Sequence, residues 1–565
     1  MSKPPGTIRV AAVQFHAGPD IDANLTTCLE WLDRATACEP DLVVLPEFCN
    51  HLSWYDDKQH CFDVSVSLDG PFLTAIAAKA AELGIHVVVN CTVQRADGTA
   101  TGSSLLYGPE GELVADNTKQ IYIGHENDFL EKAASEGPVV DTALGRVGLY
   151  ACMDGVISET PRCLALNGAQ IMLNSLNSFA TDEASLHIPV RAAENKVYVV
   201  AANKVGPLVP EAMVEAISEG TGIPLKFLSG AGESQIVAPD GTVLAKASLD
   251  QAEYIYADIA VDRADDKRRP DGTDIFSARR PELYSDITAD AGAQVLPAME
   301  GDLNLPAAVV QISARGALAE AVERVQQAVA EGARLICLPP LLGDIFDPAA
   351  ASARSAEIVA ALCAVAGEAH VATDLVRARS GGFQYGAALM GADGVALFQP
   401  QVHRSERYAF SEPAHRFDSL ELPGARVAVV CSDDSIFPET FRLLALAGVE
   451  VALVPLSPLE DWELQTGLLE RSAENRINLL VATDTDAYGP AFATSLQTDF
   501  TVMTEWAERP FDGLLSQPEW HRCALRQMIL PVTLHPANAA NKVVSANTDL
   551  LAGRPWAVSG AISRI

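Results

Sequence analysis

A thiol, a carboxylate and an ammonium can together open a polar carbon centre by nucleophilic attack, provided that the fold brings them to one place. Cys152 ends the apolar run Val147-Gly-Leu-Tyr-Ala151 and precedes a helix expected from about Ser158-Glu-Thr-Pro161. A strand-to-helix turn exposes a nucleophile and sets backbone N–H groups and a helix N-terminus where an oxyanion would form. Glu47 closes the strand Leu42-Val-Val-Leu45 after Pro46, at the carboxyl end of a buried strand, where α/β sheets carry reactive groups. Lys119 follows a turn and strand, Glu110-Gly-Glu-Leu-Val-Ala-Asp-Asn-Thr118. An ammonium beside Cys152 would lower the thiol pKa and bind the negative oxygen of a tetrahedral intermediate. Taken singly, each residue has a plainer reading: a small core thiol, a surface loop acid, a solvated lysine at a strand end.

The elements that must position these groups occur twice. Arg9-Val-Ala-Ala-Val-Gln14 resembles Ala307-Ala-Val-Val-Gln311, and Pro40-Asp-Leu-Val-Val-Leu-Pro-Glu47 matches Ala333-Arg-Leu-Ile-Cys-Leu-Pro-Pro340. Gly145-Arg-Val-Gly-Leu-Tyr-Ala-Cys152 matches Ala425-Arg-Val-Ala-Val-Val-Cys-Ser432, and Arg191-Ala-Ala-Glu-Asn195 matches Arg471-Ser-Ala-Glu-Asn475. The last two blocks keep one offset of 280 residues without a gap, which marks a duplicated domain. Both halves alternate short apolar strands with Ala-rich helical stretches, an α/β pattern with both strand faces buried. Pro239-Asp-Gly-Thr242 and Ala392-Asp-Gly-Val395 read as turns between antiparallel neighbours, so the sheets should be mixed. The expected domains are 7–288 and 304–565, joined by a small, Pro- and Gly-broken linker at 289–303.

Composition narrows the function classes. A chain of 565 residues exceeds one ordinary core and suits two units of roughly 250–300 residues. With 48% hydrophobic residues and no run of about 20 uninterrupted apolar ones, it reads as soluble, without a membrane span. The formal charge of −34 opposes the phosphate backbone, so no nucleic-acid partner is expected. Eleven scattered cysteines without a CxxC pair suit reduced thiols, and the N-terminus has no secretory pattern; a cytoplasmic location is expected.

The order and spacing of Glu47, Lys119 and Cys152 resemble the Glu–Lys–Cys arrangement of the nitrilase superfamily of carbon–nitrogen hydrolases. Val13-Gln14, Leu45-Pro-Glu47, Asn117-Thr-Lys119, Cys152-Met-Asp154, Arg191-Ala-Ala-Glu-Asn195, Ala202-Asn203 and Arg279-Arg-Pro-Glu-Leu-Tyr284 fall in that family's order. The resemblance implies two tandem four-layer αββα sandwiches, with Glu47 as general base, Cys152 as nucleophile, and Lys119 with the Met153 backbone N–H holding the oxyanion. It further implies a second glutamate that steadies the lysine; Glu126 fits best, with Glu131 as the competitor. His125 and Asn177, the latter in the loop Asn174-Ser-Leu-Asn-Ser-Phe179, are the further substrate contacts expected. No metal and no organic cofactor is implied.

Cys152-Met-Asp154 looks closer to the amidases and carbamoylases of the superfamily than to its true nitrilases, although Met153 departs from their aromatic residue. Gly155-Val-Ile-Ser158 lacks the arginines that would grip a substrate carboxylate. Hydrolysis of an amide or carbamoyl substrate through a thioester, releasing ammonia or an amine, is therefore expected. The competing readings are a nitrilase acting on a nitrile and a non-catalytic binder or scaffold. The second half sets Pro340 and Ser432 at the base and nucleophile positions, with Gln401-Val-His-Arg404 near the lysine, so its chemistry should be lost. Such a copy suggests an intrachain pseudo-dimer, with further homo-oligomers open.

Overall fold

The computed structural model describes residues 3–290, 304–312, 317–484, 488–524 and 528–565. All but the first two residues of the expected linker 289–303 lie outside the described residues. Two compact units are present, each built from non-contiguous stretches. One comprises Met1–Lys267 with Asp499–Ser516 and Val543–Ile562; the other comprises Arg268–Thr498 with Gln517–Lys542 and Ser563–Ile565.

The first unit holds two six-stranded mixed sheets. One uses β1 (Ile8–Gln14), β2 (Leu42–Val44), β3 (His86–Gln94), β4 (Ala100–Tyr107) and β5 (Leu113–Thr118). The other uses β6 (Val139–Thr142), β7 (Gly145–Ala151), β8 (Ile171–Ser175) and β9 (Tyr198–Ala202). After a short hairpin of β10 (Val205–Pro207) and β11 (Ser229–Ala231), β12 (Gln235–Val237) and β13 (Val243–Lys246) extend the second sheet, and β14 (Glu253–Ile259) returns to the first. The orders are β14-β1-β2-β3-β4-β5 and β13-β12-β9-β8-β7-β6.

Side-chain alternation along β1 explains the layering. Val10 and Ala12 face a core shared with Val147, Leu149, Leu173 and Val200 of the other sheet. Ala11 and Val13 face the opposite way, into a core with Cys28 and Leu32 of helix Ile21–Ala35 and Phe72, Leu73 and Ile76 of helix Pro71–Leu83. Period-two burial on both faces of one strand requires a layer on each side. Helices Glu159–Leu166 and Ile188–Asn195 pack on the second sheet at β7 and β9, completing an αββα sandwich. The tight turn at Gly241 (φ 83°) joins β12 to β13, where the Asp-Gly pair predicted it.

The second unit repeats this plan. Its strands are β15 (Leu305–Val310), β16 (Leu335–Cys337), β17 (His370–Arg379), β18 (Gly382–Gly391), β19 (Gly394–Pro400), β20 (Leu420–Leu422), β21 (Ala425–Val429), β22 (Val451–Pro455), β23 (Asn478–Ala482), β24 (Phe492–Ser495), β25 (Glu519–Arg522) and β26 (Ile529–Leu534). The orders β26-β15-β16-β17-β18-β19 and β25-β24-β23-β22-β21-β20 match the first unit strand for strand. Here Val309 and Cys337 face Val427 and Leu453 of the partner sheet, whereas Val310 and Ile336 face helices Leu318–Ala330 and Pro348–Ala366. Helix Pro348–Ala366 is the one described helix long and apolar enough to cross a membrane, with a mean hydropathy of 1.4. In the fold it lays Ile358 and Leu362 in this core.

Candidate active site

Three strand ends converge. Beyond β2, the Leu45 carbonyl accepts from Ser175 Oγ at 2.8 Å, and the Glu47 amide donates to Leu176 O at 3.1 Å, which fastens the turn that carries Glu47 to the end of β8. Lys119 follows β5 and is held to β4 by its amide, which donates to Gly102 O at 2.9 Å. Cys152 follows β7, and its amide donates to Asn174 Oδ1 at 3.1 Å. Asp154 Oδ1 accepts from the amides of Gln120 and Ile121 at 3.0 and 2.8 Å, tying the turn that carries Cys152 directly to the strand end that carries Lys119.

The side chains meet in a buried cluster. Lys119 Nζ lies 2.8 Å from Glu47 Oε1 and 3.0 Å from Glu126 Oε2, and all three residues are buried. Ser53 Oγ donates to the other Glu126 oxygen at 3.4 Å. Glu131, by contrast, engages through its backbone: its amide donates to Ala100 O and its carbonyl accepts from Tyr122. Glu47 Oε2 has no hydrogen-bond partner, so one oxygen of the carboxylate is available to a proton. The cysteine sulfur lies within electrostatic reach of Glu47, Lys119 and Glu126.

Burial dominates the titration of this cluster. It raises Glu47 to about 7, against the opposing pull of Lys119. It also works against the Lys119 ammonium, but Glu126 and Glu47 outweigh it and hold the lysine charged. For Cys152, burial and the neighbouring Glu47 push the thiol well up, and Lys119 offsets only part of this. Lys119 thus acts on the thiol in the direction expected from the sequence, but burial and Glu47 act against it more strongly.

The helix after Cys152 starts at Glu159 with Ser158 as its cap, where the sequence placed it, and a 3-10 turn at Cys152–Gly155 fills the interval. Cys152 takes φ +49°, a left-handed conformation unfavourable for a residue with a Cβ, held by Asn174 and Asp154. Phe48, directly after the base, takes φ +51° and donates its amide to Asn90 Oδ1 at 3.0 Å. Ala151 and Cys152 spend their amides on Asp154 and Asn174, and the Met153 amide comes next along the turn. His125 packs its ring 5.4 Å from that of Trp54 and bonds Ser53 O at 2.9 Å. Asn177 Oδ1 is buried without a hydrogen-bond partner. Arg191 pairs with Glu194 at 2.6 Å and donates to Gly155 O and Val156 O, so it buttresses the backbone beyond the nucleophile.

The carbon-nitrogen hydrolase family model matches residues 9–269 and 306–509. The chain belongs to this family. As a carbon–nitrogen hydrolase it is 29% identical over 282 residues to a protein named nitrilase from Pyrococcus abyssi, covering 49% of this chain and 99% of that one. It is 28% identical over 256 residues to an (R)-stereoselective amidase from Pseudomonas sp., covering 44% and 84%. Among solved structures, an amidase from Nesterenkonia sp. matches at 25% identity and a TM-score of 0.40, covering 47% of this chain and 96% of that one. A variant of the amidase from Nesterenkonia sp. AN1, carrying the acetamide moiety of fluoroacetamide on its active-site cysteine, matches at 23% identity and a TM-score of 0.42, covering 51% and 99%. The protein is a hydrolase of the nitrilase superfamily with two family domains in tandem.

The second domain of this hydrolase keeps the frame without the reactive groups. Asp434 Oδ1 accepts from the amides of Val402 and His403, as Asp154 does from Gln120 and Ile121, which puts Gln401 at the lysine position. Arg471 and Glu474 repeat the buttressing pair at 2.6 Å. Ser432 Oγ donates to Ser457 O at 3.0 Å, and Arg407 reaches across it to Asp433 and the same carbonyl. Cys431 packs between the sheets.

Two supporting residues, Asn90 and Lys204, escaped the sequence reading, whereas Ser53 falls in the loop Phe48-Cys-Asn-His-Leu-Ser-Trp54, expected to line the pocket. Lys204 alone left a signal: at the 280-residue offset its counterpart is Asp484, a reversal of charge.

Proposed function

We propose that the first domain hydrolyses a neutral carboxamide or carbamoyl compound through a thioester on Cys152. Glu47 takes the thiol proton through its unpartnered oxygen as sulfur bonds the carbonyl carbon. A base near 7 is matched to neutral pH, and a protonated thiol needs such a base. Lys119 and the Met153 amide receive the oxyanion. The tetrahedral intermediate collapses, the C–N bond breaks, and Glu47 returns the proton to the leaving nitrogen. Water then gives a proton to Glu47 and its oxygen to the acyl carbon, and the thiol is restored as the acid leaves. Asn177 Oδ1 offers an acceptor to a substrate N–H, and Glu126 holds Lys119 in place. The observation that carries this reading is one ammonium shared at 2.8 and 3.0 Å by two buried carboxylates beside the thiol. In the same reading the second copy is a built-in partner for the first.

Ammonia release from purified protein, measured across carboxamides, carbamoyl compounds and nitriles with Cys152→Ala as control, tests it. Turnover of an amide, an acyl adduct on Cys152 by mass spectrometry and a silent control are expected. Turnover that survives the substitution, or a protein that yields neither ammonia nor adduct from any class, would end the proposal.

A further inference from the structure

Lys204 follows β9 and is fully buried, with its Nζ donating to Phe48 O at 3.1 Å. Among the described residues no carboxylate reaches it at salt-bridge distance. An ammonium in such a place is expensive, because desolvation is not repaid by a paired charge. Its neighbours are Cys49, Cys28 and Cys91, with His16 and His51 within its field, and Glu47 is the nearby carboxylate that its charge acts on. Phe48 is itself the left-handed residue that turns the chain after the base. Its two backbone polar groups are thus both held by side chains, the amide by Asn90 and the carbonyl by Lys204.

The duplicated copy supplies an internal control. Where Pro340 removes the base, Asp484 stands in place of the lysine and Leu341 has no left-handed turn to support. The ion pair Arg191–Glu194, which only buttresses the backbone, survives there as Arg471–Glu474. Lys204 therefore varies with the base and not with the frame.

We propose that Lys204 is a positioning residue for Glu47: it anchors the turn that aims the carboxylate, and its positive charge keeps that carboxylate ionised for proton abstraction. The proposal rests on Glu47 being the general base. Glu47 otherwise faces Lys119, Glu126 and Cys152, of which Lys119 alone is cationic. Burial lowers Lys204 to about 8, so at neutral pH it remains mostly charged.

The pH profile of kcat/KM separates this role from a structural one. Lys204→Gln keeps a donor for Phe48 O but loses the charge, and should move the acid limb upward by about one pH unit, tenfold in rate on that limb. Lys204→Arg keeps the charge and should leave the limb in place. An unmoved limb in folded Lys204→Gln overturns the proposal, as does an equal displacement in Lys204→Arg. If neither Lys204→Gln nor Lys204→Met folds while Lys204→Arg does, the lysine is a structural strut and the proposal falls. Wild-type turnover abolished by Cys152→Ala is checked first, so failure of the hydrolase reading is recognised separately.

Discussion

Glu47 and Glu126 lean on a single ammonium, and that arrangement fixes what each substitution should do. Lys119→Met strands two carboxylates in a buried site, and breaking a buried pair from one side costs about 3–5 kcal/mol. Urea unfolding should show that loss, and adding Glu126→Gln should recover part of it while activity stays absent. Glu47→Gln is milder for the fold but removes the proposed base, and kcat/KM should fall about 10²–10⁴-fold. In the proposed mechanism Glu47 works as the carboxylate, so the wild-type rate should fall as pH drops through about 7. A limb centred near the ordinary glutamate value of 4.5 would show that burial does not govern this group. The three principal residues were legible through the order and spacing in which they resemble the family's Glu–Lys–Cys arrangement, since each taken singly had a plainer reading. The upward push on the thiol was not, because it depends on how far burial outweighs Lys119.

At the level of elements, the two copies differ in backbone as well as in side chains. Lys196 (φ 47°) and Arg476 (φ 52°) end equivalent helices in the left-handed conformation, a cap that the fold needs in both places. Cys152 is left-handed, whereas its counterpart Ser432 is not, so the strain is present in one copy and absent from the other. A paired substitution measures it. Cys152→Gly should be more stable than Cys152→Ala by about 1 kcal/mol, because glycine is relieved of the left-handed penalty. At position 432 the order should reverse, with Ser432→Ala more stable than Ser432→Gly by about 0.5–1 kcal/mol. Thermal melts of the four variants decide it, and the same order at both positions would refute strain at the nucleophile. The α/β layering, the mixed sheets and the Asp-Gly turns were readable from short apolar runs and turn chemistry. The left-handed residues were not, since Phe48 and Cys152 are types that seldom adopt that conformation and nothing local announces it.

At the scale of the whole molecule, the repeat was the most legible feature, because one offset held across a helix and two strands. What the offset could not reveal is that the first compact unit is completed by Asp499–Ser516 and Val543–Ile562, stretches from the second half of the chain. Within that unit Ile121, Met153, Val156 and Ile157 share an apolar cluster with Phe500, Val502, Phe511, Leu515, Val544 and Leu550. Asp182 accepts from the amides of Leu515 and Ser516 at 3.0 and 2.8 Å, and its carboxyl is held below its usual range by His187 and these amides despite burial. Two consequences can be measured. Asp182→Ala leaves two buried amides unsatisfied, at about 1–3 kcal/mol each, and should open 499–516 to limited proteolysis before the rest of the chain. A fragment ending at residue 290 removes six large apolar side chains from beside the nucleophile's turn. Each is worth about 1.5–3 kcal/mol when fully buried, against a total stability of about 5–15 kcal/mol for a domain. The fragment should therefore aggregate or pair with a second copy of itself, and in either case lose the activity of the intact chain. A monomeric, fully active fragment would mean that the second copy is dispensable to the first.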